Sequence, residues 1–257
     1  MTRAVIDELQ VVRAGFAPVK GTRHLSYPSV RLDAQGAAGD RGFALVALDA
    51  DPTRGRVLRT VQNPSLVAVR AEQVGDRLDV ELPDGQSASG EPVATGEIVT
   101  CDYWGRQVPL ELVEGPHTEL FTRHLGRAVR LGRARRGDVI FAGAVSVVTT
   151  ASLRDLARRT GHEGLIDEVA RFRPTLVVET EEPYVEETWL GREIRVGEAT
   201  IRIGLPIARC AVIDLDPDTG ERDVRLLKSI AAHRPLNRAG EPLFGVYAEV
   251  VTPGEVR

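Results

Sequence analysis

Between residues 6 and 112 the chain is a succession of short apolar runs, each closed off by turn formers, and helical periodicity is nearly absent. The runs are "IDELQVVRAGF", "GFALVALDA", "LVAVRAE", "RLDVELP" and "EIVTCDYWGRQVPLEL", with "PDGQSASGEP" as a polar loop before the last. Alternation at a period of two sets one face of a strand against a core. Many short strands at such spacing close into a barrel or a sandwich. With 25 Gly and 15 Pro to end strands, the first half is predicted to be β structure.

After this tract the pattern changes. "GPHTELFTRHLGR" predicts a short helix with Leu120, Phe121 and Leu125 on one face. "RAVRLGRARRGD" carries Arg127, Arg130, Arg133, Arg135 and Arg136, read as a solvated strand and loop. The domain boundary is placed here, giving units at 1–132 and 133–257. "TTASLRDLARRTG" predicts a helix with Ser152 as N-cap, Asp155 as its capping partner and Gly161 past the end. "EGLIDEVARFRP" predicts a second helix stopped by Pro174, and "VRLLKSIAAHR" a third. "PTLVVET", "ARCAVIDLD" and "LFGVYAEVV" read as strands, and "REIRVGEATIRIG" as two strands about a Gly-Glu turn. The fold class expected is mostly β with helices, an α+β protein.

Composition narrows the functions. The net charge of −4 offers no overall basic field for nucleic acid. No run approaches 18 apolar residues and the N-terminus lacks an apolar signal core, so no membrane is expected and the cytoplasm is the expected compartment. Two cysteines without a CxxC make no disulfide framework. The five histidines are scattered, with no HExxH spacing. A GxSxG elbow, a P-loop lysine and a GxGxxG fingerprint are all missing.

What remains is Cys210, in "PIARCAVIDLDPDTG". A lone Cys on an apolar strand is ordinarily core filling, and Cys101 in "VTCDYW" takes that reading. Cys210 follows Arg209, whose charge favours a thiolate, and hence a nucleophile or a metal ligand. It is expected near a strand start, at a barrel rim. The residues alone leave the three roles open.

Six further stretches, in order, resemble the MOSC family, named for the C-terminal domain of molybdenum-cofactor sulfurases. They also resemble the N-terminal β-barrel domain that accompanies it in amidoxime-reducing components. "APVKG" at residues 17–21 is similar to the family's Pro-Val-Lys-Ser/Gly motif, and "GDRGFALV" to its Gly-Asp-Arg strand. "TTASLRDL" resembles a Ser-x-Ala-Ser-x-x-Asp-Leu helix start, and "RFRPTLVV" an Arg-Phe-Arg-Pro-Asn stretch. "RCAVIDLDPDTG" and "FGVYAEVV" match an Arg-Cys…Asp-Pro-x-Thr-Gly motif and a closing strand. Thr175, Gly21 and Thr149 depart from it, standing where Asn, the animal proteins' Ser, and Ser are usual.

The resemblance implies a molybdenum cofactor, Mo-molybdopterin, between two β-barrel domains. Cys210 would be its thiolate ligand, a soft donor suited to such a metal. Lys20, Gly21 and Arg41 would hold the cofactor from one side, Arg173 and Arg209 from the other. Thr149 and Ser152 would offer a helix start to its phosphate. Each has a plainer alternative: Lys20 a loop charge, Arg41 a partner of Asp40, Ser152 only a cap, Arg173 a partner of Glu168. Three functions are therefore carried. One is a molybdenum-dependent oxidoreductase acting on N-hydroxylated or N-oxygenated small-molecule substrates, fed by a separate flavoprotein or ferredoxin because no iron–sulfur domain is appended. Another is a cofactor-free sulfurtransferase with a persulfide on Cys210. The last is a non-catalytic carrier with an inert, buried Cys210.

Overall fold

The strands Val93–Tyr103 and Arg106–Glu114 form a long antiparallel hairpin that starts a closed five-stranded barrel. The other staves are Arg130–Ala134, Phe43–Leu48 and Arg54–Val57, and the barrel closes where Arg54–Arg56 pair in parallel with Thr100–Asp102. Alternation explains the closure: Val99, Cys101, Tyr103, Val108, Leu110 and Leu112 all turn into one core, while Ile98 faces out. This computed structural model describes residues 8–257. Trp104 and Gly105 make the hairpin's two-residue turn, both with positive φ, 54° and 78°. Such turns favour Asn-Gly, and a left-handed tryptophan costs about 1–2 kcal/mol.

A second core lies outside the barrel wall. Helix α1 (Pro116–Leu125) buries Leu120 and Phe121 against it, as the sequence predicts. A three-stranded sheet of Arg70–Val74, Arg77–Glu81 and Ser87–Gly90 completes it. Ser87–Gly90 was expected as loop; cross-strand pairing with Arg77–Glu81 makes it an edge strand instead.

The remaining strands build a seven-stranded sheet in the order Glu193–Val196, Ala199–Ala208, Leu243–Thr252, Val145–Thr149, Leu176–Val178, Val11–Phe16 and Leu25–Tyr27. Val30–Asp33 pairs with Gly254–Val256 beside it. Pairing therefore runs across the boundary expected at 132/133, which itself falls within the strand Arg130–Ala134. One sheet face packs Leu32, Val147, Ile194, Ile201 and Val246. The other packs Leu153, Leu156, Phe172, Ile213 and Phe244 beneath helices α2 (Thr150–Thr160) and α3 (Leu226–His233).

Strands dominate and the described residues hold three α-helices, the α+β class expected. Two predicted elements differ. The stretch 163–174 is two 3-10 turns, Glu163–Ile166 and Val169–Phe172, not one helix. Arg171 explains this: its buried side chain takes Glu168 and Asp223 as partners, at 2.5 and 2.7 Å, a geometry that holds the turn inward. Ala211–Asp214 is likewise a 3-10 turn rather than a strand.

Candidate cofactor-binding site

The segment 17–21 is held beside Arg41–Phe43 by backbone bonds. Lys20 N–H donates to Phe43 O at 2.8 Å, and Arg41 N–H to Ala17 O at 2.8 Å. Gly21 and Arg41 both have positive φ, 93° and 49°, so the two segments turn sharply where they meet. Arg41 Nη1 pairs with Asp40 at 2.5 Å, and Asp40 Oδ1 accepts from Ala17 N–H at 3.3 Å. The plainer alternative, a pairing of Arg41 with Asp40, is thus present.

Lys20 Nζ lies 4.8 Å above the Tyr103 ring, and Arg106 sits 5.1 Å from the same ring centroid. Burial, then the charges of Arg41 and Arg173, bring the Lys20 ammonium down to about 7, with Asp40 pulling the other way. Arg173, also left-handed at φ 53°, donates from Nη1 to Thr22 O at 2.7 Å. Burial first, and Arg41 second, lower its guanidinium to about 10. It does not pair with Glu168, which Arg171 and His162 take. His24 is buried between Gly15 and Pro174, and burial followed by Arg173 and Arg41 holds it well below the ordinary imidazole range. Lys20, Arg41 and Arg173 therefore converge with Asp40 as their opposing carboxylate. Cations held this close call for an anion.

Cys210 is exposed and follows the end of the strand Ala199–Ala208, heading the 3-10 turn. It was expected near a strand start; Pro206 lies inside the strand instead. Its neighbour Arg209 points the other way and is buried. Arg209 Nε donates to Phe244 O and Nη1 to Phe172 O, each at 2.8 Å, and Nη2 has no partner among the described residues. Burial lowers this guanidinium to about 10. Arg209 thus braces two backbone segments behind Cys210, one of them leading straight into Arg173. Tyr247 connects the halves: burial raises its phenol, and Arg209, Arg41 and Cys210 all act on it electrostatically.

Thr149 and Ser152 lie elsewhere in chemical terms. Thr149, not Ser152, is the N-cap of α2, its Oγ1 accepting from Ser152 N–H at 3.3 Å. Both hydroxyls then donate to the buried Glu186 carboxylate, at 3.0 and 2.9 Å. Ser152 Oγ also accepts from Tyr184 N–H at 2.7 Å. A carboxylate from this same chain occupies the helix start that was expected to face a phosphate. Asp155 does not cap either; Arg159 and Tyr184 hold it.

The two units meet at a cleft of about 410 Å³ lined by Val61, Pro64, Val212, Leu215, Glu221 and Arg222, with Ala211 of its wall next to Cys210 in the chain; Lys20, Arg41 and Arg173 do not line it. Arg23 crosses to Pro217 O at 2.8 Å and pairs with Asp218. Gly220, at φ 76°, is required: a Cβ there would lie 2.8 Å from Pro64 O. A groove of about 620 Å³ on the outer face of α2 holds none of the cation cluster. Sequence reasoning missed Tyr103, Arg106, Tyr247 and His24. The signal for Tyr103 was its place among alternating barrel residues beside a cationic Arg106; for His24 the sequence carried none.

A cluster of cations with one carboxylate among them, and an exposed thiol, on a β-barrel joined to a helix-decorated sheet, are features suited to holding an anion. Residues 121–257 match the MOSC domain, and residues 9–127 match the MOSC N-terminal beta barrel domain. The chain belongs to the MOSC family. It is 27% identical over 93% of its length to the molybdenum cofactor sulfurase of Drosophila grimshawi. It is 25% identical, again over 93%, to the mitochondrial amidoxime reducing component 2 of Bos taurus. The chain spans 32% of the fly protein's length and 78% of the bovine one's. Among solved structures, the YUAD protein from Bacillus subtilis aligns over 96% of this chain and 89% of its own, with 11% identity and a TM-score of 0.43. No helix among the described residues is long and apolar enough to cross a membrane.

Proposed function

We propose that this chain binds a molybdenum–pterin cofactor between the Lys20–Arg41–Arg173 cluster and Cys210, with Cys210 as thiolate ligand, and reduces N-hydroxylated or N-oxygenated small molecules. One observation carries the reading: Lys20, Arg41 and Arg173 converge with Asp40 as their one opposing carboxylate, and Tyr247 lies within electrostatic reach of both Arg41 and the exposed Cys210. The donor set fits the group. A soft sulfur suits a sulfur-bound heavy metal, and Lys20, Arg41 and Arg173 suit a phosphate. The bovine relative is named for amidoxime reduction, which is the same class of chemistry.

The cofactor, when bound, would supply the two-electron transfer that removes oxygen from nitrogen. The chain's own residues position and tune. Lys20 and Arg41 hold the anionic end from the barrel side, Arg173 from the sheet side. Arg209 fixes the backbone on which both Cys210 and Arg173 ride. Tyr247 keeps its proton at neutral pH, because burial raises its phenol, and lies within electrostatic reach of Cys210. Reduction of an N–OH group takes two electrons and two protons and releases water, so a separate flavoprotein or ferredoxin would serve as donor. A reducing cytoplasm would keep Cys210 a thiol.

Metal and pterin analysis of protein from a cofactor-competent host tests the reading. Stoichiometric molybdenum and pterin in the wild type, with severe loss of activity in Cys210→Ser, is the expected result; wild type free of metal overturns it. The fly relative's name gives a second reading, sulfur transfer through a Cys210 persulfide. It requires Cys210 to gain the mass of one sulfur from a persulfide donor, reversibly with a reductant.

A further inference from the structure

The stacked cations beneath Lys20 continue outward to a patch that the cofactor reading leaves unused. Trp104 and Phe141 are 49% and 56% exposed, and their rings meet edge to face at 5.1 Å. The Arg59 guanidinium lies 4.6 Å from the Trp104 ring centroid, and no ion-pair partner for it exists among the described residues. Trp104 occupies a left-handed turn position, φ 54°, that the hairpin would fill better with Asn. Folding does not ask for a tryptophan there. Strain kept at an exposed aromatic points to binding.

The patch adjoins the Lys20 cluster. Trp104 follows Tyr103, the ring that carries Lys20. Phe141 rides on a segment pinned by Arg106 Nη2, which donates to Ile140 O at 2.6 Å. That segment passes directly over Tyr247: a Cβ on Gly143 would come within 2.6 Å of the Tyr247 Cβ. Tyr247 in turn lies within electrostatic reach of Cys210 and Arg41.

We infer that Trp104, Phe141 and Arg59 form a specificity subsite beside the Lys20 cluster for a flat aromatic group bearing a carboxylate or similar anion. The inference rests on the proposed function for taking that cluster as the reaction site, and it names the substrate class as aromatic, anionic N-oxygenated compounds. Rings recognise rings by stacking, and a guanidinium free of carboxylates recognises the anion. Two rings and one guanidinium suit a small molecule. They fall far short of the surface that a stable protein interface buries.

Calorimetry and tryptophan fluorescence with 2-naphthoate, cyclohexanecarboxylate and 2-naphthalenemethanol test this on the full chain. The wild type should bind 2-naphthoate about tenfold tighter than cyclohexanecarboxylate, with quenching of Trp104. Phe141→Ala should weaken 2-naphthoate about fivefold, and Arg59→Gln should weaken it while sparing the uncharged naphthalenemethanol. Trp104→Asn separates binding from structure, since it should raise Tm by relieving the turn and abolish the aromatic preference. A merely structural tryptophan would lower Tm on replacement. Equal affinity for the two acids, or a Trp104→Asn protein that keeps its tenfold preference, overturns the subsite. So does a Trp104→Asn protein that keeps 2-naphthoate binding but loses its reduction by an electron-donor protein, which would make the patch a protein-docking surface. Cys210→Ser should bind 2-naphthoate as wild type does. Wild type lacking molybdenum yet binding 2-naphthoate would sink the cofactor reading alone, and molybdenum without aromatic preference would sink the subsite alone.

Discussion

At Lys20, burial and the guanidinium groups of Arg41 and Arg173 act in the same direction, bringing the ammonium from 10.5 to about 7. A lysine depressed on folding binds fewer protons than the unfolded chain between those two values, so its penalty on stability is full below pH 7 and vanishes above pH 10.5. Lys20→Met should therefore raise the Tm of the ligand-free protein at pH 6 by on the order of 5 °C, and by little at pH 10.5. Equal gains at both pH values, followed by calorimetry, would show that charge is not what the site dislikes. The same variant should hold anions less well, because the charge that costs stability without an anion is the one that binds it. The two cysteines make the contrasting case. Cys101 lies inside the barrel, where burial pushes its thiol up to about 11, while Cys210 is exposed. Iodoacetamide at pH 7.5 should label Cys210 alone in the folded protein and both after denaturation, as peptide mass mapping would read. Bound cofactor should protect Cys210.

The start of α2 shows how an element can satisfy itself. Thr149 and Ser152 direct their hydroxyls to Glu186, whose carboxyl is raised chiefly by burial. A raised carboxyl binds more protons folded than unfolded, so this group's contribution to stability is present below its unfolded value of 4.5 and is lost as pH rises through the folded value. Glu186→Gln, which keeps the shape and an acceptor, should flatten that dependence and leave the protein at least as stable at pH 7 in urea titrations. Glu186→Ala should cost about 2–4 kcal/mol, since it opens a void and strands two buried hydroxyls. The sequence made the helix legible, with its end at Gly161, but not its cap. Thr149 and Ser152 both precede a plausible turn, and only the long-range partner Glu186 decides between them. The same limit applies to Ala211–Asp214, whose apolar alternation imitates a strand although no neighbour pairs with it. By contrast, the barrel staves and the Gly-Glu hairpin at 196–199 were readable, since turn chemistry and alternation are local. Cys210 stood out from its own neighbours, whereas Lys20 and Arg41 were legible only through resemblance; that Lys20 and Arg41 converge with Arg173 is a property of the tertiary structure.

On the scale of the molecule, the two units are joined by strands that cross the boundary the sequence suggests. Strands Val11–Phe16 and Leu25–Tyr27 leave the first half to extend the large sheet, and Val30–Asp33 pairs with the C-terminal strand Gly254–Val256. The chain then returns through Arg41 to build the barrel. Lys20, on the loop between these strands, is thereby carried from the sheet to the barrel wall and back toward Arg173. Shared strands should couple the stabilities of both units, because neither sheet is complete without residues from the other side of the boundary. The two tryptophans report on each unit separately, Trp104 on the barrel hairpin and Trp189 in the core of the large sheet. Single-tryptophan variants, Trp104→Phe and Trp189→Phe, should each show fluorescence and circular dichroism midpoints that coincide during urea unfolding. Two separated transitions would mean that the units hold themselves together independently, and that the cleft is set only by the Arg23–Asp218 contact and the fit of Gly220 against Pro64. Arg23→Ala distinguishes these cases further. With coupled units it should leave the unfolding midpoint within about 1 kcal/mol of wild type, whereas with independent units it should loosen the cleft and speed the alkylation of Cys210 by a protein-sized reagent.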